Sequence, residues 1–193
     1  MADRRLVIAT GNRGKQRELE ELLGGAGVHL IPFDTRVQED GDSYGANARL
    51  KAEMAATHTG LSALGDDAGI EVDALDGFPG IYSARIGPTQ KARTEALLAR
   101  LKGVKGPWYA RFVCVLAFAI PGQETDLFRG ECMGEVVPEW RGEAGFGYDP
   151  IFLVPSTGKT FGEMTPQEKH GFSHRGAAVK ALIASGALDR LSV

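Results

Sequence analysis

The chain has 193 residues, of which 43% are hydrophobic and 24% are charged, as is typical of soluble globular proteins. This composition excludes a disordered chain, a collagen and a coiled coil, and we expect one domain over residues 1–193. The formal net charge of −3 argues against a general nucleic-acid binder, and no apolar run is long enough to span a membrane. The two cysteines, Cys114 and Cys132, favour a reducing, cytoplasmic compartment.

The hydrophobic pattern predicts strands and helices that alternate along the chain. In the first part we expect strands at 6–9, 28–31, 61–64 and 70–72, and helices at 15–23 and from Ser43 to about residue 57. In the second part we expect a helix at 93–101, a central strand at 110–120 with an antiparallel partner at 127–137, a helix after the Thr165 capping box and a last helix after Ser173. This order indicates an α/β fold with a mixed sheet.

A glycine-containing segment between the first strand and the first helix is a candidate phosphate site. Its residues are Thr10, Gly11, Asn12, Arg13, Gly14 and Lys15. Glycines let backbone N–H groups approach a ligand, the helix N-terminus adds partial positive charge, and Arg13 and Lys15 add full charges. The segment is not a P-loop, because Ala9 and Gln16 stand where that motif requires Gly and Ser or Thr. An ordinary strand-to-helix turn is the alternative interpretation.

Two adjacent carboxylates, Asp66 and Asp67, follow the strand predicted at 61–64. Alternation along an extended backbone sends their side chains to opposite sides, so we expect only one of them to face a site. A hard cation such as Mg²⁺ binds a few carboxylates together with waters and phosphate oxygens, and the acidic cluster at 39–42 could supply a further ligand. Beside a phosphate site these carboxylates favour a metal site, and a solvated acidic turn is the alternative.

Two further segments could contact the rest of a nucleotide. Phe146 lies between Gly145 and Gly147, where an exposed ring could stack on a flat base; a hairpin turn with a buried ring is the alternative. Ser173 would cap the last helix and place His174 and Arg175 at its first two positions. These two residues would then point at a ligand or remain surface cations of a capped helix.

Taken together, these segments resemble the inosine triphosphate pyrophosphatase family along the whole chain. The matching segments are 9–15 with Glu18-Leu19, Asn47-Ala48, 66–72, 79–85, 146–152, Glu168-Lys169 and 173–176. Each match is short, but their order and spacing together are specific. The resemblance implies an enzyme, a nucleoside triphosphate pyrophosphatase that converts non-standard purine nucleoside triphosphates (ITP, dITP and XTP) to the monophosphate and pyrophosphate and so cleanses the nucleotide pool.

The resemblance also implies a fold and a set of site residues. The family fold is an elongated mixed β-sheet flanked by helices, in two lobes with a central cleft, and its members are usually homodimers. Asp67 would be the proton acceptor and would bind Mg²⁺ together with Glu39, and Lys15 would neutralise the phosphates during catalysis. The implied substrate-binding residues are Thr10, Gly11, Asn12, Arg13, Gly14, Lys15, Ala68, Phe146, Gly147, Tyr148, Asp149, Lys169, His174 and Arg175.

Two positions depart from the family pattern. Ala68 stands where the family often has Ser, which removes a hydroxyl able to touch the substrate, and Ala46 stands where an acidic residue usually completes a capping box. Neither departure affects Lys15 or Asp67, so we retain the activity prediction.

Two other functions remain open from the sequence. One is a pyrophosphatase for a different base, and the other is a nucleotide-binding regulator that needs neither Asp67 nor a metal. For a purine substrate, donors from Arg175, His174 or loop amides would select the C6 oxygen of hypoxanthine or xanthine over the amino group of adenine. The apolar segment Pro79–Tyr82 would lie at the dimer contact.

Overall fold

The structure, a computed structural model, describes residues 4–35, 37 and 39–191. Within these residues the strands are β1 (Arg5–Ala9), β2 (His29–Phe33), β3 (Ala63–Val72), β4 (Trp108–Ala119), β5 (Asp126–Val136), β6 (Phe152–Val154) and β7 (Lys159–Thr160). The α-helices are α1 (Arg13–Leu23), α2 (Tyr44–Thr59), α3 (Gln90–Leu101), α4 (Pro166–Phe172) and α5 (His174–Ala184). No helix of the described ranges has the length and apolar character that a membrane crossing requires.

The strands form one mixed sheet in the order β2-β1-β3-β4-β5-β6-β7. β1 pairs in parallel with β2 and with β3, whereas β6 is antiparallel to both β5 and β7. β4 and β5 are neighbours joined by the short segment 120–125, as the predicted hairpin requires. The mixed sheet flanked by helices is therefore confirmed.

The chain divides into two compact units. The first comprises Met1–Asp67, Cys114–Gly130 and His174–Val193, and the second comprises Ala68–Val113 and Glu131–Ser173. The first is built on the buried strand β1, with α2 against that strand and α1 against α5. The second has its own apolar core, in which the rings of Phe112, Phe152 and Phe161 pack together. The strands β3, β4 and β5 each contribute residues to both units. The single domain expected over residues 1–193 stays a prediction.

The structure corrects the sequence-based prediction for residues 61–72. A single strand, Ala63–Val72, replaces the two short strands, so Asp66 and Asp67 lie within β3 and not in an acidic turn. Gly and Asp disfavour strands, which explains the error. Tertiary packing outweighs that preference, because only a glycine fits at position 65: a Cβ there would lie 2.2 Å from the Ala48 carbonyl oxygen on α2.

The helix ends follow local capping signals. Asn12 starts α1 at Arg13, before the predicted Lys15, since its side chain accepts hydrogen bonds from the backbone N–H groups of Gly14 and Lys15 at 2.9 and 3.1 Å. Ser43 caps α2 and the Thr165 capping box starts α4, both as predicted. α5 begins at His174, directly after Ser173, which places Arg175 in its first turn.

Candidate active site

The candidate phosphate segment lies between β1 and α1 in the first unit. Thr10 is buried, Gly11 to Arg13 are exposed, and Gly14 and Lys15 are half-buried. Asn12 already accepts from the N–H groups of Gly14 and Lys15, so a phosphate that used these groups would have to displace its side chain. The cationic side chains of Arg13 and Lys15 are therefore the groups of this segment that could attract a phosphate without that displacement.

Lys15 ends at a buried cluster centred on Asp66, which we call the Asp66 cluster. Its members are Lys15, Glu18, Asp66, Cys114 and Arg175. The Lys15 ammonium lies 2.6 Å from Asp66 Oδ1, and the Arg175 guanidinium donates to both Asp66 oxygens, from Nε to Oδ2 at 2.7 Å and from Nη2 to Oδ1 at 3.3 Å. The Cys114 thiol donates to Asp66 Oδ2 at 3.4 Å, and Arg175 Nη1 donates to Glu18.

The charges in the Asp66 cluster stabilise one another. Burial by itself would raise the pKa of Asp66, but the charges of Arg175 and Lys15 outweigh it and hold the pKa well below its ordinary value. Burial would likewise lower the pKa of Lys15, but Asp66 and Asp67 raise it above its ordinary value. Burial and the neighbouring Asp66 carboxylate raise the pKa of Cys114, so that group is a thiol and a donor. The cluster thus keeps Lys15 charged in a largely dry environment.

Asp67 points into a second group, the Asp67 cluster, made of Glu39, Asn47, Lys51 and Asp67. The Lys51 ammonium lies 2.7 Å from Glu39 Oε1 and 3.2 Å from Asp67 Oδ1, and Asn47 donates to Asp67 Oδ2 at 3.2 Å. The pKa of Asp67 is raised above its ordinary value, chiefly by burial. Lys15 and Lys51 oppose this shift, whereas the nearby carboxylates of Glu39 and Asp66 add to it.

The Asp67 cluster supplies two carboxylates, the kind of ligand that hard cations such as Mg²⁺ prefer. The carboxylates of Glu39 and Asp67 both contact the same ammonium group, so their oxygens lie close together. No group of at least three His, Cys, Asp or Glu side chains that could hold a metal occurs in ranges 4–35, 37 and 39–191. Two carboxylates still fit Mg²⁺, which commonly takes its remaining ligands from water and substrate phosphates.

The Phe146 segment of the second unit is held by a buried carboxylate. Asp149 is buried, and its Oδ2 accepts from the Phe146 backbone N–H at 2.7 Å and from the Lys169 ammonium at 2.5 Å. That ammonium also lies 5.0 Å from the centre of the half-buried Phe146 ring. Gly145 has φ +75°, and a Cβ there would lie 2.0 Å from Asp149 Oδ2, so this position needs a glycine.

A recess of about 600 Å³ opens beside Phe146 in the second unit. Its lining includes Gly147, Trp140 and, from α3, Gln90 and Lys91. Tyr148 faces the other way, because its buried hydroxyl donates to the Ser83 carbonyl at 2.7 Å. The buried aromatic of this segment is thus Tyr148, and Phe146 keeps an accessible face.

The structure excludes the interpretation of His174 and Arg175 as surface cations. His174 is buried and Arg175 is 1% exposed, both in the first unit. Arg175 donates from Nε, Nη1 and Nη2 to carboxylates, which leaves it poorly placed to read a base directly. Ala68, the position of the missing hydroxyl, is half-buried on β3 in the second unit.

Sequence reasoning missed a role for Lys51 and for Cys114. Lys51 lies four residues after Asn47 on α2, and the alanines Ala48 and Ala52 beside them are fully buried. The spacing of polar residues at i and i+4 within a face of small residues was the available signal. Cys114 lies in the apolar run of β4, where no pattern distinguishes a hydrogen-bonded thiol from a packing residue.

Comparisons with known proteins agree with these observations. Residues 6–185 match the sequence model of the Ham1 family. The dITP/XTP pyrophosphatase of Gloeobacter violaceus is 48% identical over 181 residues, covering 93% of this chain and 92% of that protein. That of Thermus thermophilus is 47% identical over 186 residues, with coverage of 93% and 90%.

Solved structures extend the agreement to the fold. A HAM1 protein from Coxiella burnetii matches with a TM-score of 0.85 and 36% identity, covering 95% of this chain and 98% of that one. The Ham1 protein of Staphylococcus aureus matches with a TM-score of 0.84 and 38% identity, covering 96% and 100%. The resemblance inferred from the motifs is confirmed, and the chain belongs to the Ham1 family.

Proposed function

We propose that this protein hydrolyses non-standard purine nucleoside triphosphates (ITP, dITP and XTP) between the α- and β-phosphates, giving the monophosphate and pyrophosphate. The observation that carries the proposal is the pair of carboxylates, Glu39 and Asp67, gathered around Lys51 in the unit that also holds Lys15. The relatives named dITP/XTP pyrophosphatase support the same substrate class.

The first unit would bind the triphosphate and carry out the chemistry. Lys15 and the segment from Thr10 to Gly14 would contact the phosphates, and Glu39 and Asp67 would hold Mg²⁺, which supplies positive charge against the triphosphate when bound. Asp67 would accept a proton from the attacking water. Its raised pKa makes it a stronger base than an exposed aspartate, while Lys15 and Lys51 limit that rise and favour the ionised form that a base requires.

The second unit would bind the purine. The accessible face of Phe146 would stack on the base, and Asp149 and Lys169 would hold that ring in position. Gly147 and Tyr148 would shape the loop around it, and Ala68 would contribute backbone contacts only. We assign donation to the C6 oxygen to backbone amides of the loop from Phe146 to Asp149, since Arg175 is occupied by carboxylates.

A product analysis tests the proposal. The purified protein is incubated with Mg²⁺ and, separately, with ITP, XTP, the four common ribonucleoside triphosphates and the four deoxynucleoside triphosphates. We expect monophosphate and pyrophosphate, with ITP and XTP turned over fastest and little product in the presence of a chelator.

Other product patterns would contradict the proposal. Diphosphate and inorganic phosphate as products would place the cut at the γ-phosphate. A preference for a pyrimidine would indicate the pyrophosphatase with a different base, and nucleotide binding without any product would indicate a regulator.

We also propose a homodimer that works in the cytoplasm. Tyr82, in the segment predicted for the dimer contact, is 53% exposed, and such a large apolar ring is typical of an interface. Cys114 and Cys132 are both buried and form no disulfide, which suits a reducing compartment. A monomeric mass by light scattering at micromolar concentration would contradict the dimer.

A further inference from the structure

We propose that Asp66 is a positioning residue for Lys15. Its buried carboxylate, fixed by Arg175 and Cys114, holds the Lys15 ammonium at the point from which it contacts the substrate phosphates. The inference rests on the proposed function, because it takes Lys15 as the cation that binds the triphosphate. It gives the first aspartate of the pair a task distinct from that of Asp67.

The Lys15 side chain needs such a partner. A lysine has a long, flexible side chain, and fixing its ammonium in one place costs conformational entropy. Lys15 is 14% exposed and its ammonium lies 2.6 Å from a carboxylate that is 0% exposed, so it is immobilised before any substrate arrives. An ammonium group can donate several hydrogen bonds, so the contact with Asp66 leaves capacity for phosphate oxygens.

Asp66 is itself fixed from several directions. The planar guanidinium of Arg175 donates to both of its oxygens, and the Cys114 thiol donates to Oδ2. Arg175 is held in turn by Glu18. These groups come from α1, β4 and α5, so the Asp66 carboxylate on β3 cannot turn away without breaking contacts to several elements.

The charge balance of the cluster predicts that Asp66→Asn affects kcat more than KM. Lys15 and Arg175 balance Asp66 and Glu18, so Asp66→Asn leaves an excess of positive charge that still attracts a triphosphate. The ammonium is then present but no longer held in place. A catalytic group displaced by about 1 Å can cost roughly 10²-fold in rate. We therefore expect kcat to fall by roughly 10²-fold while KM changes by less than about threefold.

The experiment is a double-mutant cycle on ITP hydrolysis with Mg²⁺, measured below the unfolding transition of every variant. It uses the wild type, Asp66→Asn, Lys15→Ala and the double variant. If Asp66 acts through Lys15, Asp66→Asn lowers kcat in the wild-type background and changes it by less than about threefold when Lys15 is already absent. The control is Glu71→Gln on the same strand, because Glu71 forms an ion pair with Arg111 at 2.7 Å and has no proposed role. It should keep wild-type kinetics.

Each outcome of the cycle decides the matter. An equal loss in both backgrounds, or no loss of kcat in folded Asp66→Asn, overturns the positioning role. Should Asp66→Asn fail to fold, Cys114 provides the milder perturbation: Cys114→Ala removes a donor to Asp66 and should lower kcat severalfold, whereas Cys114→Ser keeps a donor and should restore it. Equal kinetics for the two Cys114 variants would overturn the proposal. Absence of ITP hydrolysis by the wild type would instead refute the proposed function.

Discussion

Replacing each of the adjacent aspartates of β3 by asparagine should affect stability differently: the change should destabilise the fold at Asp66 and should not destabilise it at Asp67. Arg175 and Lys15 hold the pKa of Asp66 well below its ordinary value, whereas burial raises the pKa of Asp67. Asparagine keeps the shape and removes the charge. Asp66→Asn therefore removes a charge that the fold stabilises, and Asp67→Asn removes a charge that the fold penalises.

The expected magnitude follows from the buried ion pairs of Asp66. Removing one partner of a buried pair typically costs about 3–5 kcal/mol, because the remaining charge stays buried without compensation. For a chain of this size, each kcal/mol lowers Tm by about 2–4 °C. Asp66→Asn should therefore lower Tm by about 6–20 °C. Asp67→Asn should leave Tm unchanged or raise it.

The pH dependence of the two effects also differs. Asp66 has a depressed pKa in the folded protein, so its stabilisation is present above the ordinary aspartate pKa and is lost as pH falls through the folded pKa. The Tm deficit of Asp66→Asn should thus be complete between about pH 5 and pH 8. Asp67 binds its proton more tightly in the folded protein, so the wild type loses stability as pH rises from the ordinary aspartate pKa through the raised one. A gain in Asp67→Asn should appear above that interval and vanish below it.

Scanning calorimetry of the wild type and both variants measures these effects. Glu168→Gln is the control. Hydrogen bonds from Lys159 and from the Thr165 backbone lower the pKa of Glu168 to about 2. The Lys159–Glu168 ion pair is nevertheless exposed, so its loss should not shift Tm measurably. Equal decreases in Tm for Asp66→Asn and Asp67→Asn would refute the reasoning. So would an Asp66→Asn protein as stable as the wild type.

Activity measurements give further tests. Asp67→Asn should lower kcat for ITP by at least about 10²-fold in a pyrophosphate-release assay, because it loses the proton acceptor. Lys15→Ala should lower kcat/KM for ITP, XTP and ATP by similar factors, since these substrates share the triphosphate; a factor confined to one base would contradict this. Phe146→Ala should weaken ITP and ATP alike by about 1–3 kcal/mol in binding, as stacking does not depend on the exocyclic group. Arg175→Ala should also reduce kcat/KM for both, and a loss limited to ITP would show that Arg175 reads the base.

The elements predicted best are those whose signals are local. Ser43 and Thr165 predict helix starts because their side chains accept hydrogen bonds from backbone N–H groups only three residues away. β4 and β5 were predictable because a long apolar run followed by a short turn leaves few alternatives to a hairpin. The motif order also located residues now found in both clusters, although Lys51, Cys114 and the ion pairs of Arg175 were not foreseen.

The error at β3 has a long-range cause. The residues from Gly65 to Gly69 have low strand propensity, and nothing nearby in the sequence compensates for it. Compensation comes from α2, whose backbone packs directly on Gly65, and from Arg175, which lies 109 positions from Asp66. These contacts depend on which helices and strands become neighbours in the fold. Local residue patterns do not indicate which elements will be neighbours.

The burial of Arg175 could not be predicted from its residue type for the same reason. An arginine after a capping serine at a helix start is well suited to an anionic or carbonyl ligand, and the sequence offered no competing acceptor. In the folded chain, Glu18 and Asp66 are those acceptors, and they take the guanidinium into the interior. Strand alternation then gives the dipeptide Asp66-Asp67 two environments: the first carboxylate lies among cations that stabilise its charge, and the second is buried with weaker compensation. The ion pairs of Asp66 with Lys15 and Arg175 stabilise the fold, whereas burial of the Asp67 carboxylate destabilises it and raises its pKa. Because both residues lie on β3, the free energy gained at Asp66 offsets the free energy lost at Asp67, and the strand can keep a carboxylate of raised basicity.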